Sequence, residues 1–303
     1  MAEKDITEKI LLSYADVFAD VVNALVFNGE QIIDVKDLAD QQPRAIYKAD
    51  GKVREVERDV VKRWFKNDIQ IASIGIENET DPDPDMPIRV IAYDGAEYRT
   101  QLLKENKKKP RYPVVTLVLY FGYKHHWNKP VSIQEIVDIP ERLKPHTVDV
   151  EINPYEIAYL TDEQLSYFHS DFKIVADYFV QMRRTRDYIP SHEKIQHVEA
   201  VLQLLSVLTE DNRFEETLNQ PEGGVNNMCE VLDRVEARGE ARGEARGKAM
   251  GEAIGEIKGT IKFCRDETDL KPVEITKKIM ERFSLDKDSA EKYVEEIFGT
   301  QLV

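Results

Sequence analysis

Glu77 and Glu79 stand two residues apart in the run Gly75-Ile-Glu-Asn-Glu-Thr80. The residues before them, Asp68-Ile-Gln-Ile-Ala-Ser-Ile74, are rich in β-branched side chains and half-alternating, which predicts a strand. If the strand runs through residue 79, the two carboxylates share a face, because strand side chains alternate with a period of two. Acids at a strand end, beside a glycine that leaves room and ahead of a proline-rich loop, do not fill a core. Their mutual repulsion calls for solvent, a basic partner or a divalent cation. Asp59 supplies a third acid about one hairpin upstream. Solvated surface carboxylates would give the same letters, so the acids alone leave both readings open.

The elements that must position these acids can be read around them. Residues 58–66 fit either a helical turn or a strand; the turn-forming Lys66-Asn67-Asp68 favours a hairpin with the next strand. After the acids, Asp81-Pro-Asp-Pro-Asp-Met-Pro87 is a loop whose acids suit a helix N-terminus. A helix over about 86–105 then carries Arg89, Tyr93, Glu97 and Gln101 at i, i+4 spacing. That row suits a phosphate, a water or the carboxylates themselves; a solvent face is the alternative. Lys104, Lys107, Lys108, Lys109 and Arg111 form the densest basic cluster, able to neutralise a nucleic-acid backbone or simply to keep a linker soluble. Val114 to Tyr120 is a near-continuous apolar strand, the type buried on both faces. Its exit loop holds His125, His126 and Trp127, and neither histidine has a partner at metal-binding spacing.

Outside this region the chemistry thins out. Asp5 and Glu8 have capping-box spacing, and the helix they open buries a stripe from Ile10 to Leu25 with Asp16 and Asp20 off it. These two acids suit a solvated face, or one of them a lean into an active site. Residues 28–58 read as a polar excursion with short strands, Val148 to Ile152 as a strand, and about 162–185 and 191–208 as helices. The organisation expected is a domain over 1–186, a helical extension over 187–233, a glycine-periodic segment over 234–262 and a two-helix tail over 263–303.

From Glu236 the sequence repeats Glu-Ala-Arg-Gly, with Gly239, Gly243, Gly247, Gly251, Gly255 and Gly259 at every fourth position. As an isolated helix this is poor: each interior glycine costs ~1 kcal/mol relative to alanine, and like charges recur at i, i+4. A glycine stripe admits a close backbone, and Glu and Arg stripes complement those of a second copy, so self-association is expected. A duplicated linker is the alternative.

Composition bounds the rest. A chain of 303 residues with 42% hydrophobic residues has material for a real core. A net charge of −15 excludes a uniformly basic nucleic-acid coat, so an anionic substrate needs local basic patches or metal ions. Cys229 and Cys264 have no zinc spacing, and no signal-like N-terminus or membrane-length apolar run is present, so a reduced, cytoplasmic protein with no membrane association is expected.

Asp59, Gly75-Ile-Glu-Asn-Glu-Thr80, Asp85-Met-Pro-Ile-Arg89, Tyr93-Asp94, Tyr98 and Gln101 stand in the order and spacing of one family. So do Tyr120-Phe-Gly122, His126-Trp127 and the glycine-periodic tail. Together they resemble the recombination-promoting nuclease and putative transposase family of the PD-(D/E)XK superfamily. The resemblance implies an α/β fold, with a restriction-endonuclease-like mixed sheet flanked by helices and an all-helical C-terminal extension. It also implies Mg²⁺ or Mn²⁺, DNA strand cleavage in bacteria, and a link to recombination or phage defence. By position, Asp59 and Glu77 are the implied metal acids, with the Asn78 carbonyl a further ligand. Glu79 falls where such enzymes usually carry Lys or Gln, and would be a ligand or base. Arg89, Tyr93, Gln101, Lys107, Lys108 and Lys109 are the candidate substrate contacts. The alternative is a catalytically silent member that binds DNA or a protein and oligomerises through its C-terminal helices. A strand-joining transposase is weaker, since no helix-turn-helix motif is recognisable.

Overall fold

The structure, a computed structural model, describes residues 9–41, 44–49, 52–103, 109–209, 214 and 226–299. It divides into two compact units, Met1–Asp233 and Arg234–Val303. The capping-box residues Asp5 and Glu8, and Lys104, Lys107 and Lys108 of the basic cluster, lie outside the described residues.

In the first unit a helical turn over 9–13 leads into helix α1 (Ala15–Val26). The polar excursion contains strand β1 (Leu38–Asp40) and a hairpin of β2 (Arg44–Ala49) and β3 (Lys52–Glu57), which form a two-stranded sheet of their own. Next comes the second hairpin, β4 (Val60–Lys66) and β5 (Ile69–Glu79), antiparallel. Its turn residues Asn67 and Asp68 both adopt positive φ, 50° and 63°, a conformation these two residue types tolerate. The hairpin therefore prevails over the helical alternative at 58–66.

Helix α2 (Met86–Thr100) crosses over to β6 (Val114–Tyr120), which pairs parallel with β5, and β7 (Pro154–Glu156) pairs parallel with β6. The five-stranded mixed sheet has the order β1-β4-β5-β6-β7, an α/β architecture. Ala72, Ile74 and Ile76 of β5, with Leu117 and Leu119 of β6, face the main core, which α1 fills with Val17, Phe18, Val21 and Val22. On the opposite face Met86 and Val90 of α2 pack with Val118 and Ile152. Strand β6 is thus covered on both faces, as its apolar run foretells.

After the short helix α3 (Ile133–Ile136), the strand expected over 148–152 contracts to one bridge, Ser132 to Glu151, and the pairing with β6 falls to β7. The helix expected over 162–185 is two, α4 (Asp162–Leu165) and α5 (Phe172–Thr185). Between them the N–H groups of His169 and Ser170 donate to the buried Asp20 carboxylate. Asp20 is therefore buried and spent on those N–H groups rather than solvated, and Asp16 meets His197 Nε2 at 2.9 Å. Helix α6 (Val198–Thr209) starts later than expected, because Asp171 accepts the N–H groups of Gln196 and His197 just ahead of it. Val201, Leu202, Leu204 and Leu205 of α6 join the main core, so this helix belongs to the first unit.

Helix α7 (Met228–Glu267) continues into the second unit. There Ile257, Ile261 and Cys264 form a small core with Ile275 and Ile279 of α8 (Pro272–Phe283) and Ala290 and Val294 of α9 (Lys287–Phe298). A Cβ built on any of the six periodic glycines would meet nothing among the described residues within 4 Å beyond the helix's own nearby backbone. Among the described residues, no helix is long and apolar enough to cross a membrane.

Candidate active site

The alternation of β5 decides which side chains meet. With Ala72, Ile74 and Ile76 turned to the main core, Ser73, Gly75, Glu77 and Glu79 face α2. Glu77 and Glu79 therefore share a face, and Asn78 points to the other, where both of its amide atoms are buried without a hydrogen-bond partner among the described residues. The β4–β5 ladder ends at Val60 opposite Ile76. The next outward N–H, that of Asn78, donates to Asp59 Oδ2 at 2.7 Å, so Asp59 extends the ladder with a side chain. A strand residue sends its N–H and C=O to the same side, which puts the Asn78 carbonyl on the Asp59 edge as well. Lys9 Nζ lies 3.7 Å from Asp59 Oδ1.

Arg89, one turn into α2, reaches back over the strand end. Its Nη2 donates to Glu77 Oε2 at 2.8 Å, and its Nη1 donates to both Glu79 Oε1 and Asp83 Oδ2 at 2.8 Å. Its Nε donates to the Tyr93 hydroxyl at 3.3 Å. One positive charge thus serves three acids. Glu77 is 1% exposed, and its second oxygen, Oε1, is buried with no hydrogen-bond partner among the described residues.

Burial, then the charge of Asp59, push the Glu77 carboxyl well above its ordinary range, with Arg89 opposing. Burial likewise lifts Glu79 to about 7 against the pull of Arg89. Burial works against the Arg89 charge too, yet its bond to Asp83 and the charge of Glu77 hold it above the ordinary arginine value. Tyr93 is raised by burial and by Glu77.

The room beside Gly75 is taken: a Cβ there would fall 2.7 Å from Arg58 Cδ and Nη1. Buried Arg58 donates to Thr116 Oγ1 and lies 3.7 Å from Asp94 Oδ1, and Thr116 donates to the same Asp94 oxygen. Burial raises the Asp94 carboxyl.

The polar row on α2 splits by role. Arg89 and Tyr93 join the acids, whereas Glu97 accepts from Gln41 and the Tyr112 hydroxyl. Gln101 spends both ends of its amide on the Tyr112 backbone, which fastens the connection to β6 and ends α2 at Thr100 rather than near 105. Gln101 is buried and is not offered to a substrate. Lys109 and Arg111 are exposed at the entrance to β6, whose Val114 pairs with Ser73. They lie beyond that end of the sheet, while Glu77 is four residues further along β5, roughly 13 Å. His126 is held by Glu156 at 2.8 Å on the far side of β6, apart from the acids.

Asp83 and Lys9 are site residues that the sequence reading did not single out. Asp83 precedes Arg89 by six residues, across a loop-to-helix junction, so no periodicity marks the pair.

Among the described residues, no group of three or more His, Cys, Asp or Glu side chains is arranged to hold a metal ion. A magnesium-type cation asks for less, since it keeps several waters and needs one or two carboxylates. Asp59 and Glu77 are close enough for the charge of one to act on the other, and Glu77 Oε1, without a hydrogen-bond partner among the described residues, is an oxygen such an ion would satisfy.

In comparisons with known proteins, neither the curated proteins nor the solved structures gave a match. A family model did: residues 69–217, about half the chain, match the family described as "Putative transposase, YhgA-like". The matched stretch contains Glu77, Glu79, Asp83 and Arg89 and begins after Asp59. Over residues 69–217 the protein is similar to the YhgA-like putative transposase family, which supports a transposase- or nuclease-like role in general.

Proposed function

We propose that this protein is a metal-dependent DNA endonuclease that hydrolyses phosphodiester bonds, a specific form of the nuclease- or transposase-like role that this similarity supports. The observation that carries the reading is Glu77: a carboxylate withdrawn from water, beside Asp59, with one oxygen left without a partner. An unsatisfied buried acceptor costs about 1–3 kcal/mol, and more when charged, which is out of place in a merely structural residue. Asp59, Glu77 and the Asn78 carbonyl would hold Mg²⁺ or Mn²⁺. When bound, such an ion supplies Lewis-acid activation of a phosphate oxygen and of water.

The chain's own residues divide the remaining work. Glu79, lifted to about 7, is matched to accepting a proton from water near neutral pH, a base role that a Gln at this position would not fill. Tyr93 steadies the guanidinium that spans the acids. Lys109 and Arg111, with Lys107 and Lys108 of the same cluster, would neutralise backbone phosphates of DNA beyond the scissile one. Titration calorimetry with Mg²⁺ and Mn²⁺, paired with cleavage of a plasmid, tests the proposal. Binding abolished in Asp59→Asn and Glu77→Gln together with cleavage supports it; cleavage that survives either variant overturns the site.

One observation favours a second reading. Arg89 already occupies the centre of the acid group, as a structural ion pair would, which suits a silent member that binds DNA or protein. Retention of DNA in a gel shift without cleavage in any metal would select it. In either case we propose self-association through residues 234–262, where the glycine stripe of α7 is open and its Glu and Arg stripes complement a second copy. Helicity of a 234–262 peptide that does not change with concentration would remove this idea.

A further inference from the structure

Arg89 is placed unlike an ordinary surface arginine. Its two terminal nitrogens are divided between the buried acid and the two outer ones, Nη2 to Glu77 and Nη1 to Glu79 and Asp83, and Nε is held by Tyr93. The side chain is 38% exposed, whereas Glu77 is 1% exposed, so the guanidinium sits between solvent and the buried carboxylate. It satisfies Oε2 of Glu77 and leaves Oε1 without a partner. A buried carboxylate that is half satisfied, by a group that can withdraw toward solvent, is a site in which one cation stands in for another.

We propose that Arg89 is a place-holder cation: its guanidinium occupies Glu77 in the metal-free protein and gives way when a divalent cation enters. The proposal rests on the metal-dependent reading above and deepens it. Release from Glu77 does not set Arg89 adrift, because Asp83 and Glu79 still accept from Nη1. Asp83 is inside the Pro-punctuated loop, where its other oxygen accepts the N–H of Asp85 at the start of α2, so the parking position is tied to that helix. The exchange leaves a positive charge beside Glu77 both before and after the cation enters, which favours the ionised form of that buried acid. It also sets an order, with the acids held together and folded before any metal arrives.

Competition has a definite signature. A residue that merely supports the metal acids, when removed, weakens cation binding; a residue that competes with the cation, when removed, strengthens it. Magnesium and manganese are titrated by calorimetry into the full chain, into Arg89→Met and into Arg89→Lys, and melting temperatures are read with and without the cation. Arg89→Met is expected to bind at least about tenfold more tightly, the equivalent of one charge-assisted hydrogen bond. It should melt below the unaltered chain without cation and gain more from the cation. Arg89→Lys keeps the charge but cannot divide itself between carboxylates, so its affinity should fall between the two. If Arg89→Met does not fold, Arg89→Lys decides: tighter binding than the unaltered chain supports the exchange, and equal or weaker binding overturns it. Equal or weaker binding by Arg89→Met overturns the place-holder and leaves the metal site standing. Absence of cation binding in all three proteins overturns both.

Discussion

Asp59 Oδ2 accepts the backbone N–H of Asn78 at 2.7 Å, where the β4–β5 ladder has already ended. The acid thereby does a strand's work and a site residue's work at once. Asp59→Ala should lose both, leaving the Asn78 N–H without its acceptor and lowering stability by about 1 kcal/mol. Asp59→Asn keeps an oxygen at that position and should melt close to the unaltered protein while losing cation binding. Urea denaturation of the two variants side by side checks the separation.

Glu77 is withdrawn from water and pushed well above its ordinary range by burial and by Asp59. Glu77→Gln removes the charge, keeps the shape and still offers Arg89 an acceptor. Without metal its melting temperature should match or exceed that of the unaltered chain, while cleavage is lost. A large loss of stability would mean that the Glu77–Arg89 pair is needed for folding itself.

Stability should also depend on pH through Glu79. Its folded value, about 7, is above the ordinary 4.5, so the folded protein holds its proton more tightly. The contribution is fully present below about 4.5 and is lost as pH rises through 7, on the order of 1–3 kcal/mol in total. Glu79→Gln should flatten this part of the profile. Thermal melts from pH 5 to pH 8 in EDTA read the slope directly.

Gly75 tests the packing that holds the acids in place. Gly75→Ala sets a Cβ 2.7 Å from the Arg58 side chain, which is buried against Thr116 and Asp94 and has little freedom to yield. The expected loss is about 1–3 kcal/mol. Chemical denaturation measures it.

The periodic glycines give the opposite expectation in isolation. Apart from the helix's own nearby backbone, no atom of the described residues lies within 4 Å of a Cβ at Gly239, Gly243 or Gly247, so alanine there should strengthen a solitary helix by about 0.5–1 kcal/mol each. If the glycine stripe packs against a second copy, the same substitutions should weaken the assembly. Sedimentation of the triple variant against the unaltered chain distinguishes the two.

Much of this geometry was legible in the sequence because it follows from short periods. The hairpin at Asn67-Asp68, the shared face of Glu77 and Glu79, and the double burial of Val114–Tyr120 all follow from alternation and turn chemistry. What was not legible depends on contacts between distant elements. Asp20 is 149 residues from the His169 N–H it accepts, and nothing in the local pattern of α1 announces this. Gln101 looked like part of a polar row facing a substrate, but the return of the chain at Tyr112 claims both ends of its amide. The grip of Arg89 on three acids needed the Pro-punctuated loop to fold Asp83 back beside β5, a turn that composition allows without fixing its direction.

The most direct test of the central claim is plasmid cleavage by the full chain in Mg²⁺, in Mn²⁺ and in EDTA, alongside Asp59→Asn and Glu77→Gln. Nicking should require the cation and disappear in both variants while their folds persist. Cleavage in EDTA, or equal cleavage by the unaltered chain and the two variants, would contradict that claim.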